Sequence, residues 1–167
     1  MSVVRWLRHA FKTPYAVHRA FSEQALERIE QAIAASEVKH SGEIRFAVEA
    51  TLPWSYLKRD APVRQRAEMV FAKLRVWDTE NNNGVLIYVE LADHDIEVVA
   101  DRGIAQHVPR NEWDAICAEM RDYFRAGRFE HGVVEAVNAV GERLARHFPL
   151  TAGERNPDEM SDRPAIL

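Results

Sequence analysis

The run Val85-Leu86-Ile87-Tyr88-Val89 constrains this chain more than any other stretch. It is largely β-branched and aromatic, too short to cross a membrane, and polar on neither face. Such a run is a strand buried on both faces, the pattern of a parallel strand inside an α/β domain. Asn81-Asn82-Asn83-Gly84 launches it. Asn and Gly tolerate positive φ, and Asn side chains bond nearby backbone, so the segment reads as a turn. The same amides, with Asp78 and Glu80 beside them, also read as the lining of a polar site at the strand's mouth.

Periodicity around this strand supplies the other layers. Ser22 is a good N-cap, and Leu26, Ile29, Ile33 and Ser36 carry an inward helical stripe to about Glu37. Residues 43–49 alternate strictly, with Ile44, Phe46 and Val48 on one face and charges on a wet or partly covered one. Residues 50–62 read as a loop punctuated by prolines, yet Leu52, Trp54, Tyr56 and Leu57 are too apolar for open solvent. They fold back over the sheet's edge or mark a contact surface. Pro62 suits the first turn of a helix running to about Val76. Asp93-His94 reverses the chain into a further strand, residues 95–101, which makes an antiparallel hairpin.

Strand, helix and strand over 43–91 have the order of a right-handed parallel crossover, which places the doubly buried strand between the other two. Asn111 is the expected cap of one closing helix that Gly127 stops, and a second helix covers about 130–147. The expected fold class is α/β. It is a three-layer α/β/α sandwich around a small mixed sheet, with one βαβ unit and one β-hairpin. Residues 22–148 form this domain. Residues 1–21 are a basic amphipathic segment, and residues 149–167, rich in Pro and charge, read as a disordered tail.

Charge and composition exclude several partners. A formal charge of −4 gives no general reason to bind nucleic acid. One cysteine, Cys117, forbids an internal disulfide framework. The N-terminal part lacks the continuous apolar stretch of a signal peptide, so the expected location is cytoplasmic, at most peripheral to a membrane. Arg5, Arg8, Lys12 and Arg19 face away from Val3, Leu7, Ala10 and Phe11 on helical spacing. That apolar stripe is expected to pack on the domain rather than on lipid.

No motif here supplies a nucleophile with a partner. Cys117 lies in the apolar stripe of a helix, and no G-x-S-x-G or phosphate-binding glycine loop occurs. The seven histidines are scattered without metal-ligand spacing, and no organic cofactor is implied. The acidic groups are more informative. A hairpin closing at Asp93-His94 returns Asp101-Arg102-Gly103 to the end where the buried strand began. Asp78, Glu80, Asn82 and Asp101 then gather oxygen ligands suited to calcium or magnesium. The competing reading is a solvated acidic rim with Arg102 pairing to one carboxylate.

"NNNGVLIYV", "DIEVVADRGI" and "YFRAGRFEHGVVEAV", in that order, resemble the TPM domain from about Ser22 to Phe148. That family includes thylakoid proteins of photosystem repair and bacterial envelope proteins. The resemblance implies an α/β/α sandwich and, for some members, divalent-cation binding and an acid phosphatase activity. Asp93 matches the family's turn aspartate. Asn82 stands where the family usually has Asp, and Asp101 where it commonly has Gly. The expectation is a non-catalytic TPM-type module that contacts a protein partner, membrane-associated proteins included, through Trp54 and Tyr56. A weak calcium or magnesium site at the sheet end would steady it. The alternative is a metal-dependent enzyme resembling an acid phosphatase.

Overall fold

In the computed structural model, His9 and residues 15–167 are described. The expected stripe of Val3, Leu7, Ala10 and Phe11 lies outside the described residues. Helix α1 (Tyr15–Ala20) leads to Ser22, whose hydroxyl accepts the Ala25 N–H at 3.2 Å and caps α2 (Glu23–Glu37). Then follow β1 (Glu43–Glu49), α3 (Trp54–Lys58), α4 (Val63–Lys73), β2 (Gly84–Glu90) and β3 (Asp95–Ala100). Helices α5 (Arg102–Ala105), α6 (Arg110–Arg125) and α7 (Phe129–His147) and a short β4 (Ala165–Ile166) complete the chain.

The sheet order is β3-β2-β1-β4. β1 and β2 pair in parallel from Glu43↔Gly84 to Glu49↔Glu90, the crossover expected through α4. β2 and β3 form the antiparallel hairpin, with Val85↔Ala100 and Glu90↔Asp95. Every residue of β2 is buried. On one face Phe46 and Ile87 pack with Ile29, Ile33, Trp113 and Val137 from α2, α6 and α7. On the other, Ala47, Leu86 and Tyr88 pack with Leu57, Ala67 and Val70 from α3 and α4. Burying one such large apolar side chain contributes roughly 1.5–3 kcal/mol, so the two cores together outweigh any single polar contact. Among the described residues no helix is long and apolar enough to cross a membrane.

Five expectations need correction. The loop of residues 50–62 contains a helical turn, α3, entered from Pro53. Helix α4 ends at Lys73 rather than Val76, because Arg75 takes φ 57 and turns the chain so that Val76 tucks inward. The N-cap of α6 is Pro109, so Asn111 sits inside the first turn. The charged face of β1, expected wet or partly covered, is covered further than that at both ends: Glu43 and Glu49 are buried, each held by bonds from distant residues, while Arg45 between them is partly exposed. Finally, residues 149–167 follow a defined path along the sheet and end in β4, paired to β1. They are fixed by backbone amides bonding to a buried carboxylate, which leaves no trace in hydrophobic periodicity.

Candidate functional site

The starts of β1 and β2 form one end of the sheet, and the Asn turn closes it. Asn82 takes φ 51, the left-handed conformation that Asn tolerates, and its carbonyl accepts the N–H groups of Gly103 and Ile104 at 2.8 and 3.3 Å. A Cβ on Gly103 would collide with the Asn81 and Asn82 carbonyl oxygens, so glycine lets the two loops touch. Asp101 caps α5: its Oδ1 accepts the Arg102 N–H at 2.7 Å. Its Oδ2 is buried without a hydrogen-bond partner among the described residues, and the residue is only 9% exposed.

Trp77, Asp78, Thr79, Asn82, Asp101 and Arg102 line a cavity of about 440 Å³. Of the four expected ligands, three therefore share a cavity. Glu80 does not line it, and its N–H instead donates to the Glu159 carboxylate at 3.1 Å. Asp78 pairs with Arg75 at the rim, and Arg102 Nε donates to Asn82 Oδ1 at 3.1 Å.

A second acidic group lies at the same end and escaped the sequence reading. Carboxylate oxygens of Glu37, Glu43 and Asp158 lie within 4.8 Å of one another. Glu37 accepts the Ile44 N–H at 2.8 Å, and Glu43 accepts those of Glu159 and Met160 at 3.2 Å each. Burial, reinforced by the Glu43 charge, pushes Glu37 up to about 9, and burial pushes Glu43 to about 7. In the sequence Glu37 reads as the end of a helix and Glu43 as the start of a wet or partly covered face. Only the return of the distant chain segment unites them.

The opposite sheet end holds two more networks. Arg66 forks onto Glu49 at 2.7 and 2.8 Å, and the buried Tyr88 hydroxyl donates to the same carboxylate. His9 Nδ1 accepts the Leu52 N–H at 3.2 Å, and its Nε2 lies 3.1 Å from Asp93, with Glu90 nearby. Both imidazole nitrogens are engaged, so this ring offers no lone pair for base catalysis. Burial raises Glu90 to about 8 although Ala92 and Asp93 N–H groups donate to it.

Ser36 and His40 form a hydroxyl–imidazole pair at 3.0 Å, while Nδ1–H donates to the Gly42 carbonyl at 3.0 Å. Both side chains are buried, and burial lowers His40 to about 4. Cys117 is likewise buried in the core, and its thiol is pushed to about 11. On the surface, Trp54 is 58% exposed on α3. Tyr56 beside it is half-buried under the Arg59 and Arg66 guanidiniums, at 5.2 and 5.7 Å from its ring.

These shifts predict a pH profile. Glu37, Glu43 and Glu90 all have folded values above the ordinary carboxylate range, so each favours the fold when protonated. Their contribution is present at low pH and is lost as pH rises through those values. His40 works the other way, losing its share on acidification below the ordinary histidine range. In chelator-treated protein, Tm should fall as pH rises from about 6 to about 9. A Tm that holds or climbs over that window, by calorimetry, would contradict the buried-carboxylate assignment.

The TPM domain family profile matches residues 17–143. This chain belongs to the TPM domain family. The BA42 protein of the psychrophilic bacterium Bizionia argentinensis, solved by NMR, is 29% identical and superposes with a TM-score of 0.76. That comparison covers 88% of this chain and 95% of BA42. The N-terminal domain of a P. gingivalis protein shares the fold at 21% identity and a TM-score of 0.63, over 78% of this chain and 82% of that one. No curated protein matches the sequence. Within this TPM domain the matched range contains Asp78, Asn82, Asp101, Glu37 and Glu43. Asp158 and β4 lie beyond it.

Proposed function

We propose that this TPM domain is a non-catalytic module that binds a protein partner and holds a divalent cation at the sheet end. The observation carrying the cation reading is Asp101 Oδ2, a buried carboxylate oxygen without a partner among the described residues, on a residue that lines the cavity with Asp78 and Asn82. Such an atom costs about 1–3 kcal/mol of lost hydration unless something satisfies it. Asp101, Asp78 and Asn82 would supply the hard oxygen donors that calcium or magnesium prefers, with water completing the shell. Few carboxylates imply affinity near the millimolar end of the calcium range.

The partner reading rests on Trp54, an exposed aromatic next to a half-buried Tyr56, the kind of anchor that dominates interfaces. The non-catalytic reading rests on the sealed state of the candidate nucleophiles. Ser36 and Cys117 are buried, and His9 and His40 use both ring nitrogens.

A phosphomonoester assay tests it. The purified protein should show no turnover with or without calcium or magnesium. Turnover that disappears in Asp101→Ala would overturn the reading in favour of a metal-dependent phosphatase. Trp54 is more than half exposed, so Trp54→Ala should change stability by no more than about 0.5 kcal/mol, the usual range for surface substitutions. A larger loss in a denaturant melt would assign Trp54 to packing instead.

A further inference from the structure

The two edges of the sheet are closed by different means. At β3, arginines from both layers cap the outward carbonyls. Arg64 Nη1 donates to Val98 O at 2.7 Å, and Arg121 Nη2 to Ile96 O at 3.1 Å. At β1, the Glu37 carboxylate takes the Ile44 N–H, and the remaining edge is met by the chain itself. β4 pairs only Ala47↔Ala165 and Val48↔Ile166, against the seven residue pairs that join β1 to β2. Leu167 N–H adds a bond to Val48 O at 3.0 Å. Edge strands with unspent N–H and C=O groups are templates for another strand.

The docked segment also shows what side chains this edge accepts. Ala165 and Leu167 pack against the cluster that holds Leu52 and Leu57 and that Tyr56 flanks, while Ile166 is 44% exposed. Upstream, the segment has no regular secondary structure before β4. It is tied by Asn156 Nδ2 to the His40 and Gly42 carbonyls at 2.9 and 3.0 Å, by Glu43, and by Arg45 to Arg163 O at 3.1 Å. These ties can hold residues 156–163 in place while 165–167 leave the edge.

We propose that the outer edge of β1 beside α3 is a peptide-binding edge, occupied here by the chain's own residues 165–167. The partner strand would lie parallel to β1, presenting a small residue, an exposed residue and a leucine in succession. The proposal rests on the partner reading above and names the partner's chemistry. Main-chain bonds along β1 supply affinity, and the pockets for alternate side chains supply specificity. The tethered segment competes at an effective concentration in the millimolar range, so an outside strand binds only by displacing it.

A labelled peptide with the sequence of residues 162–167 tests this against the full chain and against Ala165→Glu/Leu167→Glu. The double variant should bind it about tenfold or more tightly than the unmodified protein, because the competitor in cis is gone. Amide shifts should centre on Ala47, Val48 and Leu52. Equal affinity for both proteins, or no binding to a folded double variant, overturns the proposal. Should that variant not fold, hydrogen exchange on the unmodified protein decides. Leu167 should exchange far faster than Ile87, and equal protection overturns the proposal. Repeating the titration with Trp54→Ala separates the two readings. Peptide binding that ignores Trp54 removes the aromatic anchor and keeps the edge, whereas loss of peptide binding in the double variant alone removes the edge.

Discussion

Replacing Arg66 with methionine should destabilise the protein by about 3–5 kcal/mol, the cost of leaving one member of a buried ion pair alone. Glu49 is 3% exposed and receives both prongs of the Arg66 guanidinium and the Tyr88 hydroxyl. Without Arg66 the buried carboxylate keeps, among the described residues, only the tyrosine. The double variant Arg66→Met/Glu49→Leu removes both charges, and apolar replacements of buried pairs are often neutral. It should therefore be more stable than Arg66→Met alone, although Tyr88 then loses its acceptor. Urea melts of the three proteins check this. A single variant within about 1 kcal/mol of the unmodified protein would show that the pair is solvated in solution.

Gly84→Ala should have the next largest effect. Gly84 opens β2, and a Cβ there would overlap the Val76 carbonyl oxygen, a backbone atom that no rotamer change can move aside. Overpacking costs about 1–3 kcal/mol where neighbours can give way, and a rigid neighbour puts this site at the upper end. For a chain of this size that is a Tm loss of roughly 6–12 °C. The damage should also spread to the cavity lined by Asp78, Thr79, Asn82 and Asp101, because Val76 and Gly84 bracket the loop that carries the first three. A Tm within about 2 °C of the unmodified value would mean that the loop is not pressed against β2.

The sheet's centre was legible because one run of side chains had no polar face at all. β2 could be only a doubly buried strand, and the hairpin and crossover then followed from loop length. The Ser22 cap and the Asn82 turn were legible for the same reason: each is a local rule satisfied by local atoms. Asp101 was brought to Asp78 and Asn82 by hairpin geometry alone.

What was not legible depends on partners far away in the chain. Glu43 and Glu49 stand at the two ends of an alternating strand and look solvent-facing, and Arg66, the Tyr88 hydroxyl and the amides of Glu159 and Met160 make their burial tolerable. Asn111 is a better cap by type than Pro109, yet proline's fixed φ already starts the turn. β4 carries two paired residues, too few for any periodicity to register.

The proposed cation site centres on Asp101. Calcium titrated into ¹⁵N-labelled protein should shift amides at residues 78–82 and 101–104, saturating in the millimolar range. Asp101→Asn should abolish those shifts while leaving the fold intact. Shifts confined to residues 37–44 and 156–162 would place the ion on Glu37, Glu43 and Asp158 instead. Shifts confined to 92–95, or none at all, would contradict a cation at this end of the sheet.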